Sequence, residues 1–178
     1  MNITSAASAT HPGEEPMVVR AFIQARRTAP ELKLVIAPRD PGRCTALFRE
    51  LPIAGFRVAC YLDPLESKQG ADIMFLNTIG ILANAYALCT VAFVGGSLVA
   101  QGGHNLLEPA MFGKPVLFGP HMTDFREMAQ LFIQGKAAFW LMTKKPWPVN
   151  WNNCCAILTI AAAPATMPGK SLTATQGR

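Results

Sequence analysis

Apolar positions along the 178 residues fall into short compact runs that alternate with stretches of helical spacing. Residues 2–8 make the first candidate strand. Thr10-His11-Pro12-Gly13-Glu14-Glu15 then reads as a turn that opens a helix, in which Val18, Phe22 and Ala25 recur at i, i+4 and i+7. Leu32 to Ala37 is a compact apolar strand. Asp40 can cap the next helix and Pro41 suits its first position, with Cys44, Leu47, Phe48 and Leu51 as the buried face. Phe56 to Tyr61 and Asp72 to Leu76 read as further strands, and Ile79, Leu82, Ala83 and Tyr86 return to helical spacing. Val91 to Val94 is an unbroken apolar run of the kind buried on both faces of a sheet. A short helix around Pro109 to Phe112 and a strand from Pro115 to Phe118 follow. Asp124 with Glu127 predicts a capping box for a last helix with the stripe Phe125, Met128, Ala129 and Phe132.

This alternation predicts an α/β fold: a Rossmann-like, doubly wound parallel sheet with helices on both faces. Ligands of such sheets gather at the carboxyl ends of the strands, which singles out the loops 9–15, 38–42, 77–81, 95–108 and 119–124. Past Ala138 the pattern changes. Pro146, Pro148, Pro164 and Pro168 interrupt the chain, Trp140, Trp147 and Trp151 cluster, Ala156 to Ala163 fits a helix or a strand, and Gly169 to Arg178 reads as a mobile tail. The expected organisation is one domain over 1–140 and a divergent, partly disordered segment over 141–178.

Composition narrows the classes. With 51% hydrophobic and 15% charged residues the chain is not a disordered one. Its mean hydropathy of +0.24 leaves apolar surface for a partner or a membrane. No apolar run approaches the ~20 residues of a bilayer span, and Met-Asn-Ile-Thr-Ser does not begin a signal peptide. Sixteen Lys and Arg against eleven Asp and Glu give +5, which favours anionic partners. No basic run exceeds two residues, so nucleic acid is not expected. The five cysteines, at 44, 60, 89, 154 and 155, form no Cys-x-x-Cys pair and suit buried thiols in a reduced, cytosolic setting. Neither histidines nor cysteines show metal-ligand spacing, and no cofactor or metal is expected.

The densest chemistry lies in Gly95-Gly96-Ser97-Leu98-Val99-Ala100-Gln101-Gly102-Gly103-His104-Asn105-Leu106-Leu107-Glu108-Pro109-Ala110. Glycines at a strand end let backbone amides approach a ligand, and the helix that follows can turn its N–H groups toward a phosphate. No Gly-x-Gly-x-x-Gly occurs, which argues against a nicotinamide dehydrogenase. Glu108 sits at the helix mouth, where its carboxylate can take two ribose hydroxyls; Asn105-x-x-Glu108 is equally a capping box. His104 and His11 can donate to a phosphate or serve as hydrogen-bonded scaffold, and His121 is a weaker candidate. Arg39, at a strand end, can hold an anion bidentately or form a surface ion pair.

Taken together, Phe93 to Leu98, Gly102 to Asn105, Leu107 to Ala110 and the Gly113-x-Pro115-Val116-Leu117-x-Gly119-Pro120-His121 run resemble the Kdo transferases. Thr10 to Glu15, Pro38-Arg39, Arg43, Phe125 and Glu127 add to the match, which covers roughly residues 8–139. Those enzymes move 3-deoxy-D-manno-octulosonic acid (Kdo) from CMP-Kdo to lipid A precursor in lipopolysaccharide biosynthesis. They have the GT-B fold of two Rossmann-like domains, and this chain is similar to the C-terminal, nucleotide-binding one. The resemblance implies CMP contacts at Pro38 and Arg39, at Ile79, Gly80 and Ile81, and at Asn105, Leu106, Leu107 and Glu108, and a location at the cytoplasmic face of the inner membrane. It further implies metal-free, inverting transfer with the general base in an N-terminal domain that these 178 residues do not include, so that the isolated chain binds CMP weakly without transferring sugar.

Departures from the family pattern are specific. The family has Met-Gly-Glu where Ile79-Gly80-Ile81 stands, which removes a carboxylate at 81. It has Pro for Leu106, His for Asp40 and Ser for Ala9. The readings that remain are the donor-binding half of a Kdo transferase, a non-catalytic nucleotide-binding or interaction module, and another GT-B enzyme such as a nucleotide-sugar epimerase.

Overall fold

The computed structural model describes residues 4–140. The expectations placed on 141–178, including Trp147, Trp151, Cys154 and Cys155, lie outside the described residues. Strand β1 (Thr4–Thr10) leads into helix α1 (Glu14–Ala25) and strand β2 (Lys33–Pro38). A 3-10 turn, Pro41–Arg43, runs into α2 (Cys44–Glu50). Then come β3 (Val58–Cys60), α3 (Leu65–Lys68), β4 (Ile73–Phe75), α4 (Leu82–Leu88), β5 (Val91–Val94), α5 (Leu107–Ala110), β6 (Val116–Phe118), α6 (Arg126–Gln134) and β7 (Ala138–Trp140).

All seven strands are parallel, in the order β3-β4-β2-β1-β5-β6-β7. Alternation along β5 shows how the faces are covered. Val91 and Phe93 join Val18, Val19 and Phe22 of α1 and Leu47 of α2 in one core cluster. Ala92 instead meets Tyr86 of α4, and Val94 joins Phe118, Met122 and Ala129 beneath α6. Neighbouring residues thus serve opposite faces of one pleated strand, which is why the run carries no polar position. The doubly wound sheet expected from the sequence is the one observed.

Several local expectations hold. Asp40 accepts the Gly42 N–H at 2.9 Å and Pro41 opens the 3-10 turn. Cys44, Leu47 and Leu51 are buried, and Phe125, Met128 and Phe132 pack around Ala129. Others are corrected. The Asp124–Glu127 capping box does not form: α6 begins after Phe125 without a side-chain cap, and Thr123 Oγ1 donates to the Asp124 carboxylate. Helix α4 begins at Leu82, so Ile79 lies in the preceding loop, 85% exposed, and Ala83 is exposed too. The short helix near 109 runs Leu107–Ala110, which makes Pro109 its third residue rather than its first. Cys44, Cys60 and Cys89 are free and buried, and burial pushes the Cys44 and Cys89 thiols up to about 11.

At the amino edge of the sheet Asp72 ties three segments together. Its carboxylate accepts from Arg26 at 2.7 Å, from Lys33 at 2.9 Å and from the Arg57 N–H at 3.0 Å. Partial burial raises its pKa, but the Arg57 amide, Arg26 and Lys33 outweigh this and hold it well below the usual carboxylate range. A depressed folded pKa stabilises above the unfolded value of about 3.9 and is lost as pH falls toward the folded value. Asp72→Asn is expected to cost about 1–3 kcal/mol at pH 7. Urea unfolding at pH 7 and pH 3.5 checks this: the gap between wild type and variant narrows at the lower pH.

Candidate functional site

The strand order reverses between β1 and β5, so the loops that leave their carboxyl ends part there and open a crevice. The sequence forms this crevice around one side chain. Glu14, in the first turn of α1, is fully buried. One carboxylate oxygen accepts the His11 N–H at 2.9 Å and the Gly96 N–H at 2.7 Å. The other accepts the Ser97 N–H at 3.0 Å and the Leu98 N–H at 2.9 Å. A carboxylate is an acceptor with about four lone-pair sites, and all four meet a donor here. The Gly96, Ser97 and Leu98 amides of the glycine-rich strand end, where backbone was expected to approach a ligand, are thus already engaged by Glu14.

Gly96 makes this close approach possible. Its φ of 67° is in the left-handed region, and a Cβ would stand 3.3 Å from His104 Nε2. Glu15, equally buried, holds the loop on the other side: Oε1 accepts from Arg43 at 2.8 Å and from Thr10 Oγ1 at 3.3 Å. Its Oε2 has no partner among the described residues. The Arg39 N–H donates to the Thr10 carbonyl at 2.9 Å and ties the end of β2 to that of β1.

The residues named from sequence fall as follows. Pro38 is buried at the end of β2 and Arg39 is exposed beside it. Among the described residues the Arg39 guanidinium makes no ion pair, so the surface-pair reading has no partner here. Its charge does act on His104. Ile79 and Gly80 are exposed in the loop after β4, and Ile81 precedes the first residue of α4. Asn105 Oδ1 accepts the Leu107 N–H at 3.0 Å, which is half of the capping box, while Glu108 is exposed and its carboxylate returns no bond. Leu106 is fully buried in the core with Val94, Val116 and Phe118, so its side chain cannot reach a ligand. Leu107 is exposed. Helix α5 packs against α4, which brings the 105–108 stretch toward the 79–81 loop on the carboxyl edge of the sheet. At four residues, α5 is too short for much of a macrodipole, and that part of the expected phosphate binding falls away.

His11 and His104 meet across the crevice, their Nε2 atoms 3.1 Å apart and their rings stacked at 5.1 Å. His104 Nε2 also lies 3.0 Å from the Ala9 carbonyl. His121 is tied by its N–H to the Ser97 carbonyl at 2.9 Å. Among the described residues no group of three His, Cys, Asp or Glu side chains could hold a metal ion. Glu14 and Glu15 are the residues that sequence reading missed. An acidic pair in a first helical turn reads as ordinary dipole pairing, and partners 82 to 84 positions away leave no local trace.

Known proteins match this chain clearly. It is 31% identical over 133 residues to the 3-deoxy-D-manno-octulosonic acid transferase of Aquifex aeolicus, covering 75% of this chain and 36% of that protein. The transferase of Bordetella pertussis is 34% identical over 137 residues, covering 75% and 32%. The chain is a homologue of the Kdo transferases. It spans about a third of the length of the curated relatives it matches. No family model matches it. The crystal structure of the C-terminal CMP-Kdo binding domain of WaaA from Acinetobacter baumannii has the same fold, with a TM-score of 0.70 at 24% identity, covering 90% of this chain and 79% of that one.

The Glu14 clasp generates a contrast. Glu14→Ala strips the acceptors from four N–H groups and is expected to destabilise the chain by at least about 3 kcal/mol. Glu108→Ala, at an exposed and unbonded position, should change stability by less than about 0.5 kcal/mol. Urea unfolding of both variants beside the wild type measures the difference.

Proposed function

We propose that this chain is the donor-binding lobe of a Kdo transferase, which receives CMP-Kdo at the carboxyl edge of its sheet for transfer of the sugar to lipid A precursor. The observation that carries this is that Arg39, just past the end of β2, and Glu108, in the first turn of α5, are both exposed and make no ion pair among the described residues, on elements that flank the switch between β1 and β5. Arg39 suits the phosphate and holds the charge that develops as CMP leaves. Glu108 accepts the ribose hydroxyls. Pro38 and the loop Ile79, Gly80, Ile81 border the nucleotide, Asn105 orders the turn, and Leu106 and Leu107 contribute backbone only. The Ser97 region, bound to Glu14, is scaffold.

The likeness to these transferases and to the CMP-Kdo binding domain supports this reading. The transfer step calls for an acceptor-binding lobe and its general base. No helix among the described residues is long and apolar enough to cross a membrane. The net charge of +5 suits an anionic inner-membrane surface, where the acceptor lipid resides.

Calorimetric titration with CMP tests the site. The chain should bind CMP weakly and transfer no sugar alone. Arg39→Ala and Glu108→Ala should each weaken binding about tenfold or more, since a hydrogen bond to a charged group contributes roughly 1.5–3 kcal/mol. Equal affinities for all three proteins would overturn the assignment, and preference for UDP over CMP would favour another nucleotide sugar.

A further inference from the structure

We propose that His11 and His104 form a proton-linked anion site, in which His104 gains a proton as the anionic group of the donor arrives and two ring N–H groups then face that anion. This rests on the reading of the crevice as the donor site and adds to it a pair of residues and a coupled proton.

Ala9 has a φ of 43°, in the left-handed region that side-chain-bearing residues avoid, where the pairing of β1 with β2 slips between Ala7 and Thr10. The slip turns the Ala9 carbonyl out of the ladder and toward His104. A carbonyl only accepts, so His104 Nε2 must carry the hydrogen. That nitrogen also lies 3.1 Å from His11 Nε2. Two N–H groups cannot point at each other over that distance, so His11 Nε2 is bare and its hydrogen sits on Nδ1. Neither Nδ1 has a partner among the described residues. The pair therefore holds one unpartnered donor, His11 Nδ1–H, and one unpartnered acceptor, His104 Nδ1, among the described residues.

One proton changes this. Placed on His104 Nδ1, it turns the acceptor into a donor without bringing two hydrogens together at the inner contact. The pair then carries two unpartnered N–H donors and a positive charge. The groups that act on His104 come from every neighbouring element: His11 from the loop after β1, the Ala9 carbonyl from β1, Arg39 from the loop after β2 and Glu14 from α1. Burial, His11 and Arg39 hold its pKa below the ordinary imidazole range, against the Ala9 carbonyl and Glu14. It is thus neutral near pH 7. An anion placed between it and Arg39 compensates that repulsion and draws the proton in. Binding must then strengthen as pH falls.

The anion is a phosphodiester or a sugar carboxylate, and the experiment separates them. Long-range 1H–15N NMR of the chain, which has three histidines, should show His11 as the Nδ1–H tautomer and His104 as the Nε2–H tautomer at pH 8, with His11→Gln and His104→Gln for assignment. Both rings as Nε2–H tautomers would overturn the shared contact. Calorimetry with cytidine 5′-methylphosphate, whose charge is constant between pH 6 and 8, is then run in buffers of different ionisation heat. Proton uptake on binding is expected, with affinity falling as pH rises by up to about tenfold per unit. His104→Gln, which can still donate to Ala9, should bind with no uptake. Uptake seen only with free Kdo supports the site and assigns it to the carboxylate. Nucleotide binding with no uptake from either ligand, or uptake unchanged in His104→Gln, overturns the proton site and leaves the donor reading standing. Absence of nucleotide binding by the wild type overturns both.

Discussion

A single buried carboxylate organises the business end of this sheet. Three of the four N–H groups gathered by Glu14 lie in the loop after β5, and the fourth closes the turn that introduces α1. A buried charge is tolerable only when its acceptor capacity is filled. Here the filling groups are backbone amides that would otherwise be orphaned at a strand end. Carboxylate and loop each remove the other's cost, and the crevice between β1 and β5 is held open at a set width. Glu15 repeats the device toward Arg43, so two adjacent residues anchor loops on both sides of β1.

With the Gly96, Ser97 and Leu98 amides engaged by Glu14, the groups that the proposed reading leaves for a ligand are Arg39, the two histidines and the turn that Asn105 shapes before Glu108. The glycines of the motif serve the closeness of protein to protein. The difference is physical, since a loop that donated all its amides to a phosphate could not also be sealed by Glu14.

Much of the fold was legible because burial on two faces leaves an unmistakable run such as Val91 to Val94, and a one-sided helix leaves spacing such as Val18, Phe22 and Ala25. Helix α3 was not, for its four residues bury nothing and so carry no period. The Asp124–Glu127 box had the right spacing but the wrong place, because Asp124 N–H is drawn to the Gly102 carbonyl two residues before α6 starts. In the candidate site, Arg39 could be placed from its strand end alone. Leu106 could not: an apolar residue within a polar loop looks like part of a binding surface, and only the packing of Val94, Val116 and Phe118 around it shows that it anchors the loop from beneath.

The twin glutamate anchors have a thermodynamic consequence. Segments on either side of β1 are tethered within the fold itself, so on the proposed reading little chain entropy remains for a ligand to quench there. The stretch around Gly80 carries no such glutamate tether among the described residues, and its left-handed backbone has open space beside it. On the proposed reading the donor meets a stiff floor beside a more open lip.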